Sequence, residues 1–388
     1  MNNPVEPDVD TLRMPLAETS RRVDIEVKQA KVGGMLADAE CDSLLLLERA
    51  NARWMTCGAT ERGVYHAEEC PAVFVNPHQR WIICSSVDTQ RLFDEELDGM
   101  GFQLKEWPGT MTRDQFLTDL CHGRKVASDM PYRDCKEVAP FLTHERRKLS
   151  RYEQERLKDL GKLLASALQA TARNVQPGDR EDEIAGHVAH RLFKRGAETV
   201  AVSIAAEDRA RTYRRPGFTS AQVHTRCLLQ ATACKFGLFA TAARTVCFGQ
   251  PGDAIKQELE TASRLQAVWM ATIRKGDKPA VIFDTAKSVL RGTPYEHELR
   301  LSGPGWWTGR MPSECLFTPG HPERFVDGNA VVFQSRIGGL AACDTFFVHE
   351  SGINPIAPVE DWPFRRYVIQ GSRYDLPDLL IRDLPSST

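Results

Sequence analysis

Apolar positions recur along this chain with two periods, and the switches between them mark its elements. In the first part short apolar runs alternate with helical spacings. The stretch SRRVDIEVKQAKVGGMLADAECD sets Val32, Met35 and Leu36 on one helical face and leads into the leucine run 44–47, which reads as a buried strand. Strands are predicted at 72–75 and 80–84, joined through Asn76-Pro77-His78-Gln79, where proline presets φ for a turn. A helix at 88–97, a strand at 102–107, a helix at 113–120 and a strand at 126–127 follow. This alternation predicts an α/β domain with a parallel or mixed sheet. Segment 51–58, NARWMTCG, reads either as a binding loop or as a short helix with Trp54 packed on that sheet.

The pattern changes near residue 150. Leu157, Leu160, Leu164, Leu168 and Thr171 repeat at threes and fours, one apolar stripe on a long amphipathic helix. Pro177-Gly178-Asp179 ends it and opens another helix, with Asp179 as N-cap, Glu181, Asp182 and Glu183 in the first turn, and Gly196 as the stop. His187 and His190 stand three apart on that helix, spaced either for a metal or as a solvated pair. From Tyr213 to Gly249 the period is two, with Lys235-Phe236-Gly237 between two apolar runs, so a long β-hairpin is expected. Helices at 254–273 and 281–290, a Gly-rich stretch Gly303 to Arg310, an apolar run 330–334 and a last strand 343–349 complete the reading. The expected division is a disordered leader 1–16, an α/β domain 17–149 and an α+β domain 150–388.

Charge and cysteine usage narrow the class. Lys+Arg number 50 against Asp+Glu 52, a formal charge of −2, so a polyanion-binding role is not expected and nucleic acid is excluded as a partner. The cysteines, 11 in all, are scattered singly without a CxxC pair, which suits reduced thiols in the cytoplasm. The first residues lack a basic segment followed by an apolar core, and no apolar run reaches bilayer length, so neither export nor a membrane partner is expected.

With these elements in order, the layout resembles the creatinase and aminopeptidase P family, whose pita-bread fold is shared with prolidase and methionine aminopeptidase. Segment 51–58 is similar to the family's Asn-x-x-Tyr-x-Thr-Gly turn. Tyr152 to Arg156 with the long helix, then Pro177-Gly178-Asp179, resembles its entry into the catalytic domain. Segment 239–249 resembles the stretch ending Asp-x-Thr-Arg-Thr, and Cys343-Asp344-Thr345 its late Glu-Asp-Thr strand. The fold class the resemblance implies is α+β, a C-terminal pita-bread domain preceded by an α/β creatinase-type N-terminal domain.

Family peptidases hold two divalent ions between two strand aspartates, one histidine and two glutamates, hard ligands that let a bridging water be deprotonated near neutral pH. Carried over, the aspartates fall on Gln230 and Thr241, the histidine falls within Ser302-Gly303-Pro304, the first glutamate is Glu314, and the second falls on Cys343. The family's substrate-facing histidine lands on Arg215, which stays protonated and binds anions but accepts no proton. No Asp or Glu occurs between Pro216 and Gln250, so no shift of register restores the pair. The expected site therefore comprises Arg215, Gln230, Thr241, Arg244, Gly303, Trp307, Glu314 and Cys343, with no metal and no cofactor. Arg214, Arg215, Arg244, Arg310 and Arg336 are expected to make the pocket cationic and selective for a carboxylate-bearing ligand, with pairing to nearby acids as the alternative; Trp306 and Trp307 are either its apolar wall or core. His224, His321, Cys234 and Cys343 are the remaining chemical candidates.

The functional expectation is a metal-free degenerate relative that binds a small-molecule or peptide ligand. The alternatives are a metal-independent hydrolase of a small amide, amidine or peptide, and a working Xaa-Pro metallopeptidase. A homodimer is an expectation the resemblance adds.

Overall fold

The structure, a computed structural model, describes residues 16–59, 66–357 and 359–383. The leader expected at 1–16 lies outside these, except that Leu16 opens the first helix. Two compact units divide between Thr143 and His144.

In the first unit α1 (Leu16–Ala39) buries Val32, Met35 and Leu36, as its spacing predicts. It is followed by β1 (Ser43–Leu46), α2 (Arg49–Met55), β2 (Ala72–Val75), β3 (Arg80–Ser85) and α3 (Thr89–Arg91), which widens into a π-turn at Leu92–Leu97. Then come β4 (Gln103–Trp107), α4 (Arg113–Cys121), β5 (Val126–Ser128), β6 (Lys136–Glu137) and α5 (Ala139–Arg147), which runs across the division. The strands form a six-stranded mixed sheet in the order β4-β3-β2-β1-β5-β6. β1 is paired on both sides, antiparallel to β2 and parallel to β5, which explains its unbroken leucine run. Segment 51–58 is helical and then turns, and Trp54 is 1 % exposed, so packing and not a binding loop accounts for it.

The second unit repeats one plan twice: two helices and a largely antiparallel sheet. α6 (Arg151–Asn174) starts with Ser150 in a capping box with Glu153 and buries the predicted stripe Leu157, Leu160, Leu164, Leu168 and Thr171. α7 (Glu181–Phe193) is capped at Arg180. The predicted cap Asp179 instead accepts from the Gln176 N–H, closing the preceding turn, and Glu181 is buried, taking hydrogen bonds from the Ala206 and Thr219 backbone and from Arg209. His187 and His190 are both exposed.

After α7 comes β7 (Glu198–Ala206), a strand the sequence did not reveal because its outer half is exposed on both faces. The short α8 (Arg209–Thr212) leads to the hairpin, β8 (Arg226–Lys235) and β9 (Leu238–Phe248). They are joined by Phe236 and Gly237 at φ 55° and 63°, the two left-handed positions a tight hairpin turn demands. β9 is buried along its whole length, with α6 on one side and the strand Leu340–His349 on the other.

The second half follows with α9 (Asp253–Thr272), α10 (Ala280–Leu290), β10 (Gly305–Thr308), β11 (Cys315–Leu316), β12 (Ala330–Ile337) and β13 (Leu340–His349). Four further strands lie beyond the expected last one: β14 (Gly352–Pro355), β15 (Phe364–Ile369), β16 (Ser372–Pro377) and β17 (Leu380–Arg382). The sheets run β17-β9-β8-β7 and β11-β10-β12-β13-β14, with β15-β16 as a separate ribbon. β9 and β13 meet through small residues: the Thr241 N–H donates to Thr345 Oγ1 and that hydroxyl donates back to the Thr241 carbonyl, both at 2.9 Å. This seam leaves the outer strands β7, β8, β10 and β12 to line a hollow.

Candidate functional site

The hollow is a cavity of about 610 Å³, of a size suited to small molecules. Strand alternation decides which side chains reach it: Ala201 and Ser203 on β7, Gln230 and Thr232 on β8, and Gln334 and Arg336 on β12 are each two residues apart. Trp306 of β10 forms a wall, its indole N–H held by the Pro312 carbonyl at 2.9 Å. Trp307 points the other way into the core, against Phe317 and Phe325.

A polar chain runs across the floor. Arg336 donates to Gln230 Oε1 at 3.0 Å, and Gln230 Nε2 donates to Gln334 Oε1 at 3.0 Å. Arg336 is 5 % exposed, and its Nε and one terminal nitrogen have no hydrogen-bond partner among the described residues. Burial pulls its pKa below the ordinary arginine value, and the neighbouring Arg214 cation adds to this. Arg214 and Arg215 also line the cavity, Arg214 paired with Glu298 at 2.8 Å and Arg215 exposed. No acidic residue is among the described residues that line it.

Of the expected site residues, the structure thus brings Arg215, Gln230 and Gly303 to the cavity. The others stand elsewhere. Thr241 is buried one strand behind, its hydroxyl 2.9 Å from that of Thr232, which takes its place in the lining. Arg244 pairs with Asp344 at 3.0 Å, and Arg310 is fully buried against Glu153. Glu314 is buried in an ion pair with Arg146 at 2.8 Å and accepts from the Arg310 backbone N–H, so it does not face Gln230. Cys343 is 0 % exposed, and burial pushes its thiol far above the usual range, so it remains protonated and unreactive. Cys234 is also buried.

Gln334 is the residue the sequence reading missed. The signal was there, since polar Gln334 and Arg336 interrupt the apolar run AVVFQSRI two apart, but ending the strand at Gln334 hid it. His224 is exposed and uses its backbone N–H on Glu207. His321 lies by Trp307, on the far side of β10 from the cavity, with Nε2 2.9 Å from Cys315 Sγ and Nδ1 accepting from the Glu323 N–H at 3.2 Å. Among the described residues no three His, Cys, Asp or Glu side chains gather as a metal site would require.

The helix-pair-and-sheet plan, repeated around a central seam and preceded by a mixed-sheet domain, is the pita-bread architecture with its N-terminal domain. Comparison with known proteins agrees: the model of metallopeptidase family M24 matches residues 155–334, within the second unit. The X-Pro aminopeptidase of Thermotoga maritima MSB8 superposes with a TM-score of 0.73 at 15% identity, over 86% of this chain and 98% of that one. The Xaa-Pro dipeptidase of Bacillus anthracis gives 0.72 at 14% identity, over 93% of this chain and 100% of that one. The N-terminal domain of FACT complex subunit SPT16 from Cicer arietinum gives 0.61 at 9% identity, over 88% and 96%. Among curated proteins none matches the sequence. At these identities the likeness establishes the fold.

Proposed function

We propose that this chain is a creatinase and Xaa-Pro peptidase-like protein of the M24 family that works without metal, holding a small peptide-like or carboxylate-bearing ligand in the cavity and not hydrolysing peptide bonds. The observation that carries this is the Arg336–Gln230–Gln334 chain. Two dications need several carboxylates to hold them, whereas this floor offers two amides and a cation. An unpaired guanidinium would repel the ions directly. None of the described lining residues can act as general base, since they include neither histidine nor acid and the arginines stay protonated. Proteins with this fold bear names of peptidases and, in SPT16, of a FACT complex subunit, so the fold by itself does not entail turnover. The scattered free thiols favour a reducing compartment such as the cytoplasm.

The test is metal content and turnover together. After incubation with Mn, Co or Zn and desalting, the protein should retain well under one ion per chain and leave Xaa-Pro dipeptides intact, with or without chelator. About two ions per chain with chelator-sensitive hydrolysis would overturn the proposal.

A further inference from the structure

Taking the cavity as the ligand site proposed above, we infer that its ligand is a monocarboxylate with an apolar body, seated carboxylate-inward against Arg336. The first reason is charge balance. Arg214, Arg244 and Arg310 each have a carboxylate, Glu298, Asp344 and Glu153, at salt-bridge distance. Arg336 is 5 % exposed, close to the value for Arg244 and far more buried than Arg214, yet no ion pair forms with it among the described residues. A buried cation without a counter-charge is costly, and the cavity is the side from which one can arrive.

The second reason is the direction of the hydrogens. Arginine only donates, so the Gln230 atom facing it is the amide oxygen; Gln230 then presents its NH2 to Gln334, whose oxygen must receive it. Arg336 therefore sets both amides, and the Gln334 NH2 is left as a donor at the cavity. The floor is thus rich in donors, complementary to an acceptor with negative charge.

The third reason is the mouth. Leu301 and Leu316, 50 % and 57 % exposed, line the cavity together with Phe317 and Trp306. A bare inorganic anion would leave these apolar walls in water, whereas an aliphatic or aromatic body covers them. One uncompensated buried cation at the floor matches one negative charge.

The test uses the full chain in calorimetric titration and thermal unfolding against acetate, hexanoate, 4-phenylbutanoate and N-acetylleucine, with 4-phenylbutanamide and inorganic phosphate as controls. Affinity should rise with the apolar body, and the amide should bind on the order of tenfold or more weakly than its acid. Arg336→Met and Arg336→Gln should abolish the carboxylate-dependent rise in melting temperature while leaving the ligand-free protein as stable as the parent or more so. Absence of binding by every carboxylate, equal binding of acid and amide, phosphate matching the acids, or unchanged affinity in both variants would each overturn the inference. Metal loading and peptide turnover, scored separately, report on the metal-free reading alone.

Discussion

Glu153 and Arg310 form a pair whose side chains are both fully shielded from solvent, and replacing Glu153 by Gln isolates what that pair contributes. Glu153 Oε1 receives Arg310 Nε at 3.0 Å, while its Oε2 receives the Ser150 N–H at 2.9 Å and so closes the α6 capping box. Arg310 also donates to the Phe236 carbonyl at 2.7 Å, tying the start of α6 to the β8–β9 turn. Gln is isosteric but has one acceptor oxygen. If that oxygen keeps Arg310, the amide NH2 faces the Ser150 N–H, donor against donor. If it keeps Ser150, the NH2 faces the guanidinium. In either orientation a buried positive charge loses its counter-ion, which costs about 3–5 kcal/mol. Against a typical total of about 5–15 kcal/mol, that is a large share. At about 2–4 °C per kcal/mol for a domain of this size, the melting temperature should fall by roughly 6–20 °C. Urea unfolding followed by tryptophan fluorescence measures the loss. The double variant Glu153→Gln/Arg310→Met should recover much of it, because an apolar replacement of a whole buried pair is often neutral. A loss below about 1 kcal/mol for Glu153→Gln, or no recovery in the double variant, would refute the claim that charge compensation holds this junction.

Three other outcomes are expected. Gly305 has φ +147°, and a Cβ there would stand 1.9 Å from the Val332 carbonyl oxygen on the facing strand, so Gly305→Ala should cost about 3 kcal/mol or more. Gly303→Ala, with nothing within 4 Å, should be near neutral by the same unfolding assay. Burial pushes the Glu207 carboxyl up, but the Thr225 hydroxyl and the backbone N–H groups of Thr225, His224 and Arg226 outweigh it and hold the pKa below the ordinary value. Its stabilisation is therefore present above the usual glutamate pKa and lost as pH falls through the lowered one. Glu207→Gln should cost about 1–2 kcal/mol at neutral pH, and the gap to the parent should close as unfolding is measured in increasing acid.

The sequence by itself determined what local periodicity encodes. The α6 stripe, the long hairpin with its Phe236-Gly237 turn, and the lack of any acid from Pro216 to Gln250 are all local facts, and they carried the fold and the doubt about metal. Partnership was another matter. Which of Arg214, Arg244, Arg310 and Arg336 remains without a carboxylate depends on Glu298, Asp344 and Glu153, which come from three different elements. Gln230 and Gln334 lie 104 residues apart and meet because β8 and β12 line one hollow. A period of two says that Gln334 and Arg336 share a face, but only the packing of one sheet across from another says what that face looks upon. Side-chain charge is inherited from the chain; whether it is cancelled is settled by what folding brings within a few ångströms.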